Sequence, residues 1–180
     1  MLKIRGGKYL HRVIEQPDMS ITRPTKDSAK EGIFNSLGLL SGLSFLDLFS
    51  GSGQMAIEAF SRGAEKVVAN DLNRSAYDII QKNLKKLGIN EIKTYNLDYK
   101  NCLKRLSENN EKFDIVFLDP PYKMIVDENF INELLSYNIM NEDFRIVIET
   151  DYELDEELFN SFIIKKLKYG RSLMYVLRRL

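Results

Sequence analysis

From Ser44 to Thr150 the chain alternates short apolar runs with stretches of helical periodicity, and this order limits the possible folds more than any other feature. The β-branched and aromatic content predicts strands over 44–49, 66–70, 92–96, 113–118 and 144–150. Helices are expected between them. The clearest repeats Ala76, Ile79, Ile80, Asn83, Leu84 and Leu87 at helical spacing, with Gly88 just past its end. Others are expected after the loop at 50–53, over 98–107 and over 127–137. Strand–helix alternation builds a parallel sheet with helices on both faces. A short acidic helix is expected near 153–159. Residues 162–169 and 172–178, either side of Gly170-Arg171, read as an antiparallel hairpin. The expected architecture is α/β: a doubly wound, mostly parallel seven-stranded sheet with an antiparallel hairpin at its C-terminal edge.

The segment ahead of this alternation differs. Residues 2–15 read as two short strands around Gly6-Gly7, and Thr22-Arg23-Pro24-Thr25 supplies hydroxyl caps and an early proline for a helix. Ala29, Ile33, Phe34 and Leu37 share one face of that helix, and Gly38 is placed to end it. A basic hairpin extension over 1–22 on a main domain over 23–180 is the expected division.

The 26 basic and 26 acidic side chains cancel, but they are unevenly spread. Lys3, Arg5, Lys8, Arg12, Arg23, Lys26 and Lys30 crowd the first thirty residues, and Lys165 to Leu180 is basic without an acid. Such ends suit a polyanionic partner, solvated surface charge being the alternative. No apolar run approaches the roughly 20 residues of a membrane span. The amino terminus lacks a signal peptide's apolar core. Cys102 is the sole cysteine and His11 the sole histidine, which leaves no internal disulfide, argues against a zinc site and fits a reducing cytosol. Nothing demands a dimer, and a monomer is expected.

Candidate chemistry gathers at strand ends, where ligands bind in open α/β sheets. Asp119-Pro120-Pro121-Tyr122 closes the run 113–118; two prolines cannot continue a ladder and fix a corner there. Asp119 and the Pro120 carbonyl offer two acceptors and Tyr122 a ring, a set that suits a planar amino group. Asp47-Leu48-Phe49-Ser50-Gly51-Ser52-Gly53 puts a glycine loop between the first parallel strand and a helix, where the backbone approaches a ligand closely. Asp71 ends the next strand where ribose hydroxyls are met, and Leu72 would pack on a base. Asp98 could accept from an adenine amino group or cap the following helix.

The loop also satisfies Gly-x-Gly-x-x-Ala through Gly51, Gly53 and Ala56, so a dinucleotide competes. Asp47 argues against one: its charge opposes a pyrophosphate and attracts an ammonium. S-adenosylmethionine, with a ribose, an adenine, an amino acid head and a sulfonium but no phosphate, fits both the loop and the corner. Cys102 falls in a helix away from the Pro-Pro corner, so a covalent cysteine route is not supported. Glu149 ends the fifth strand, facing the pocket or serving structure, and Tyr169-Gly170 reads as a turn.

With these residues in place, the chain resembles the RsmD family of ribosomal RNA guanine-N2 methyltransferases. The match runs in order through Gly6-Gly7, Arg23-Pro24-Thr25, Asp47 to Gly53, Asp119 to Tyr122 and Tyr169-Gly170, nearly the whole chain. The resemblance implies a Rossmann-like class I methyltransferase fold and transfer of a methyl group from S-adenosylmethionine to the exocyclic N2 of a guanine in small-subunit (16S) rRNA. Asp119, Pro120 and Tyr122 would then act on the base. Asp47, Phe49, Gly51, Gly53, Asp71, Leu72 and Asp98 would hold the methyl donor. Lys3, Arg5, Lys8, Arg12, Arg23 and Lys26 would meet RNA phosphates. Leu10, in place of an arginine, and Ser28-Ala29, in place of a more basic stretch, depart from the pattern in the region expected to touch RNA. A DNA amino-methyltransferase and a non-catalytic ribosome assembly factor remain the rival readings.

Overall fold

A computed structural model describes residues 1–17, 27–121, 123–170 and 172–180. Its main sheet has seven strands: β3 (Ser44–Asp47), β4 (Lys66–Asn70), β5 (Lys93–Tyr95), β6 (Phe113–Leu118), β7 (Met140–Thr150), β8 (Phe162–Tyr169) and β9 (Ser172–Arg179). They are ordered β5-β4-β3-β6-β7-β9-β8, with β9 running antiparallel to both neighbours. The doubly wound sheet and its closing hairpin are as expected.

Alternation along each strand divides the core in two. Phe45, Val67, Ile115, Phe117, Val147, Met174 and Val176 face one side, covered by α1 (Asp27–Leu37), α2 (Gln54–Ser61) and α3 (Arg74–Leu87). Leu46, Val68, Val116, Leu118, Ile148 and Tyr175 face the other, under α4 (Tyr99–Glu108) and α5 (Glu128–Ser136). Helix ends follow the glycine signals. Gly38 and Gly88 adopt positive φ, and their amides return to Phe34 and to Leu84 and Lys85.

Four elements differ from expectation, the first being β3, which ends at Asp47 rather than Phe49. β7 starts at Met140 rather than Phe144, because Met140 packs on the core and pairs with Phe113 while the polar Asn141 is anchored to Asp114. The Asp114 carboxylate accepts from Asn141 at 2.7 Å and from the Ser44 amide and hydroxyl at 2.7 Å each, tying β3, β6 and β7 together at their starts. β5 is three residues long, not five. The acidic helix is a single 3-10 turn, Glu156–Phe159, whose Phe159 is buried while its acids stay in water.

At the amino terminus β1 (Leu2–Lys3) pairs antiparallel with β2 (Val13–Ile14) in a separate two-stranded sheet. This hairpin is stitched to the sheet-covering helices. The Arg5 amide donates to Glu58 Oε2 at 2.7 Å, the Tyr9 amide to Ser61 Oγ at 2.8 Å and Gln54 Nε2 to the Lys3 carbonyl at 3.0 Å. Gly7 explains the Gly-Gly pair: φ is +73°, and a Cβ there would stand 1.7 Å from the Ser61 carbonyl oxygen. Thr22-Arg23-Pro24-Thr25, expected to open α1, and Lys26 lie outside the described residues, as does Tyr122.

Candidate active site

The loops after β3, β4, β5 and β6 all leave the carboxyl edge of the sheet, where β3 lies between β4 and β6 and the winding reverses. Asp47 ends β3 and is 1% exposed. One carboxylate oxygen accepts from the Ala56 amide in the first turn of α2 at 3.2 Å. The other, Oδ1, is buried and has no hydrogen-bond partner among the described residues. Burial pushes this carboxyl up to about 7, against the Ser50 hydroxyl and the Ala56 amide, which favour the charged form. A buried acceptor of this kind fits a cationic or N–H-bearing ligand group.

The glycine loop between Asp47 and α2 is held in a left-handed path, with φ of +55° at Gly51 and +78° at Gly53. No atom stands within 4 Å of where a Gly51 Cβ would be, whereas one at Gly53 would meet Ile80 at 3.2 Å. Gly53 thus lets α2 pack against α3, and Gly51 leaves the loop's outer side open. Asp71, just past β4, accepts from the Gly51 amide at 2.8 Å and the Asn73 amide at 2.8 Å. Burial raises its pKa even so. Leu72 beside it is 69% exposed, an apolar side chain at the ligand edge. Phe49 is half-buried, its ring 5.9 Å from Tyr99, which in turn lies 5.3 Å from Phe130. Asp98 caps α4 by accepting from the Asn101 amide at 3.1 Å and from the Asn101 side chain, and the amide bond holds its pKa down.

Asp119 follows β6 directly. Burial and the neighbouring carboxylates of Glu149, Asp47 and Asp71 hold its pKa well above the usual carboxylate range. The structure therefore brings Asp47, Asp71 and Asp119 into one electrostatic site and adds Glu149. After the corner, the Met124 amide donates to the Pro121 carbonyl at 2.8 Å and the Val126 amide to the Tyr152 hydroxyl at 2.7 Å. These bonds pin the loop that leaves the corner.

Two asparagines that sequence reasoning did not single out as site residues hold this edge together. Buried Asn70 donates to the Leu48 carbonyl at 3.1 Å and the Leu97 carbonyl at 3.0 Å, joining the loops after β3 and β5. Asn83 of α3 donates to the Ser52 and Glu15 carbonyls at 2.9 Å each and accepts from the Glu15 amide at 2.8 Å. Its signal was a polar residue inside an apolar helical repeat. The basic candidates separate by position: Lys3, Lys8 and Arg12 are exposed, whereas Arg5 is half-buried with its Nε inside. A cleft of about 460 Å³ lined by Ile131, Leu135, Phe144 and Phe162 opens at the starts of β7 and β8, away from all of these groups.

Comparison with known proteins gives this edge its family. The family described as Conserved hypothetical protein 95, the RsmD family, matches residues 2–178. This chain belongs to the RsmD family. Bacillus subtilis YlbH is 34% identical over 173 residues, 94% of each chain. Ribosomal RNA small subunit methyltransferase D of Buchnera aphidicola subsp. Baizongia pistaciae is 31% identical over 180 residues, 98% of this chain and 90% of that one. Among solved structures, Escherichia coli yhhF has a TM-score of 0.82 at 25% identity, covering 99% of this chain and 97% of that one. Against the RsmD pattern, the Gly-Gly hairpin packs on α2, the glycine loop and Asp71 form one hydrogen-bonded unit, and the Asp-Pro-Pro corner opens beside them.

Proposed function

We propose that this protein transfers a methyl group from S-adenosyl-L-methionine to the exocyclic N2 of a guanine in small-subunit ribosomal RNA. The observation that carries the reading is Asp119, half-buried beside other carboxylates at the end of β6, next to a glycine loop whose neighbour Asp47 keeps one buried oxygen without a hydrogen-bond partner among the described residues. The family supports the donor and the RNA, since a relative aligned over nearly the whole chain is a ribosomal RNA small subunit methyltransferase.

The residues present fit the methyl donor. Asp47 suits the cationic amino acid head, Gly51 and Gly53 leave the loop backbone open to it, Asp71 suits ribose hydroxyls, and Phe49 and Leu72 give an apolar bed for adenine, with Asp98 near its amino group. Bound there, the donor supplies an electrophilic methyl on a sulfonium. The chain supplies the remainder. Asp119 and the Pro120 carbonyl accept the two hydrogens of the guanine amine, which draws its lone pair out of ring conjugation. Tyr122 stacks on the base, worth about 1–3 kcal/mol in comparable base–aromatic contacts. The guanine must leave its stack to reach the corner. When the N–C bond forms and the S–C bond breaks, the nitrogen has a proton to lose, and Asp119 has the raised proton affinity to take it. A donor held by Asp47 and Asp71 would bring a positive charge that offsets the repulsion among these carboxylates and favours the ionised Asp119. Lys3, Lys8 and Arg12, with Arg5, Arg23 and Lys26, provide phosphate contacts that orient the RNA without reading its sequence.

The test is product identity. The protein is incubated with methyl-labelled donor and, separately, free 16S rRNA, DNA and small subunits lacking the modification, and the labelled nucleoside is identified. Label on N2-methylguanosine from rRNA or subunits supports the reading. Label on DNA adenine supports the DNA-methyltransferase rival, and label on no nucleic acid supports an assembly factor.

A further inference from the structure

Lys30 is 1% exposed, although lysine is rarely buried unless it is paired. It belongs to α1, which packs on the sheet face formed by Phe45, Phe117, Val147, Met174 and Val176. The helix sits close to the edge of that face. A Cβ on Gly32 would stand 1.6 Å from the Tyr169 hydroxyl of β8, so only glycine admits the tyrosine there.

Strand register brings a carboxylate to the same face. Leu118 of β6 pairs with Ile148 of β7, so the next residues, Asp119 and Glu149, leave adjacent parallel strands side by side. By alternation both follow Phe117 and Val147 onto the face that α1 covers, and Glu149 pairs with Met174 on that face. Glu149 is 8% exposed. Among the described residues, the charged groups that act on Lys30 are Glu149 from β7, Glu58 from α2 and Arg5 from the hairpin. Glu58 is already committed, accepting from the Arg5 amide and from Arg62 Nε at 2.7 Å each. Among the described residues, those that act on Asp119 are Glu149, Asp47 and Asp71. Glu149 is common to both groups.

We propose that Lys30 is a positioning residue for methyl transfer, which acts through Glu149 by holding that carboxylate charged and in place beside Asp119. The inference rests on the function proposed above. An ammonium buried on the same face favours the charged form of the Glu149 carboxylate. The charge in turn raises the proton affinity of Asp119, which is what a proton acceptor at this corner requires. Burial lowers the Lys30 pKa to about 8, with Glu149 and Glu58 opposing that shift and Arg5 adding to it, so the ammonium persists at neutral pH. Removing its charge makes the ionised Asp119 harder to form beside Glu149.

The experiment measures single-turnover methyl transfer against pH for the full chain and for Lys30→Met, Lys30→Arg and Glu149→Gln. Donor affinity is measured by calorimetry and the melting temperature is taken on the same samples. Lys30→Met should bind the donor within about threefold of wild type, lose about tenfold or more in rate and move the acid limb up by about one pH unit. Lys30→Arg should restore most of the rate and the position of the limb. Glu149→Gln should move the limb down, and it keeps the test decisive if Lys30→Met does not fold. An active wild type whose limb ignores Glu149→Gln, or a Lys30→Met loss that Lys30→Arg does not rescue, overturns this inference alone. A wild type that transfers no methyl group overturns the reading beneath it as well.

Discussion

The Gly51 amide donates to Asp71 Oδ2 at 2.8 Å, so the loop after β3 and the acid after β4 form one rigid cradle. Asp71→Ala removes both the acid proposed for the ribose and the anchor of the loop. Hydrogen bonds to charged groups are worth about 1.5–3 kcal/mol, so donor affinity should fall by roughly ten- to a hundredfold in calorimetry. An unchanged affinity would contradict the cradle.

Asp47 gives a pH dependence with a definite sign. In the unfolded chain its carboxyl ionises near 4, whereas in the fold it is pushed up to about 7. Between those values the folded state holds a proton that the unfolded state lacks. The contribution to stability is therefore complete below about pH 4 and is lost as pH rises through about 7. A cationic donor pairs with the ionised form, so the rise in melting temperature on adding donor should be larger at about pH 8 than at about pH 6. Asp47→Asn should flatten that difference, and equal shifts in the wild type would sink the assignment.

Gly7→Ala should undock the amino-terminal hairpin. The new methyl meets the Ser61 carbonyl at 1.7 Å, and the backbone is left-handed. Strain and overpacking together predict a loss of roughly 2–5 kcal/mol in calorimetric unfolding. A melting temperature within a degree of wild type would show that the hairpin does not depend on this contact.

Asn83→Leu keeps the bulk of the side chain but strands the Glu15 amide and the Glu15 and Ser52 carbonyls. Unmade buried hydrogen bonds of this kind predict a loss of about 2–4 kcal/mol in denaturant unfolding. Donor affinity should fall as well, because Ser52 belongs to the glycine loop.

The legibility of the chain follows the range of the forces involved. β6 and α3 were visible because apolar alternation and helical periodicity are local, and Gly88 ended α3 where its left-handed φ is needed. Asp119 and Asp71 were visible because strand ends in an open sheet are where ligands gather. The start of β7 was not, since Asn141 to Asp143 are polar and the anchor of this stretch is Asp114, 27 residues before Asn141. The docking of Gly6-Gly7 on α2 was also hidden, because a glycine pair reads as a turn unless its distant neighbour is known. Lys30 read as one more surface cation. Its burial depends on α1, β7 and α2 meeting, which no local pattern encodes.

The measurement that tests the account most directly is transfer by Asp119→Ala from methyl-labelled donor to unmodified small subunits, with donor binding followed by calorimetry on the same protein. Donor binding close to wild type with transfer lowered at least a hundredfold, within the usual range for a lost general base, is the expected result. Near-full transfer by Asp119→Ala would contradict the assignment of the Asp-Pro-Pro corner as the place where the amine is held.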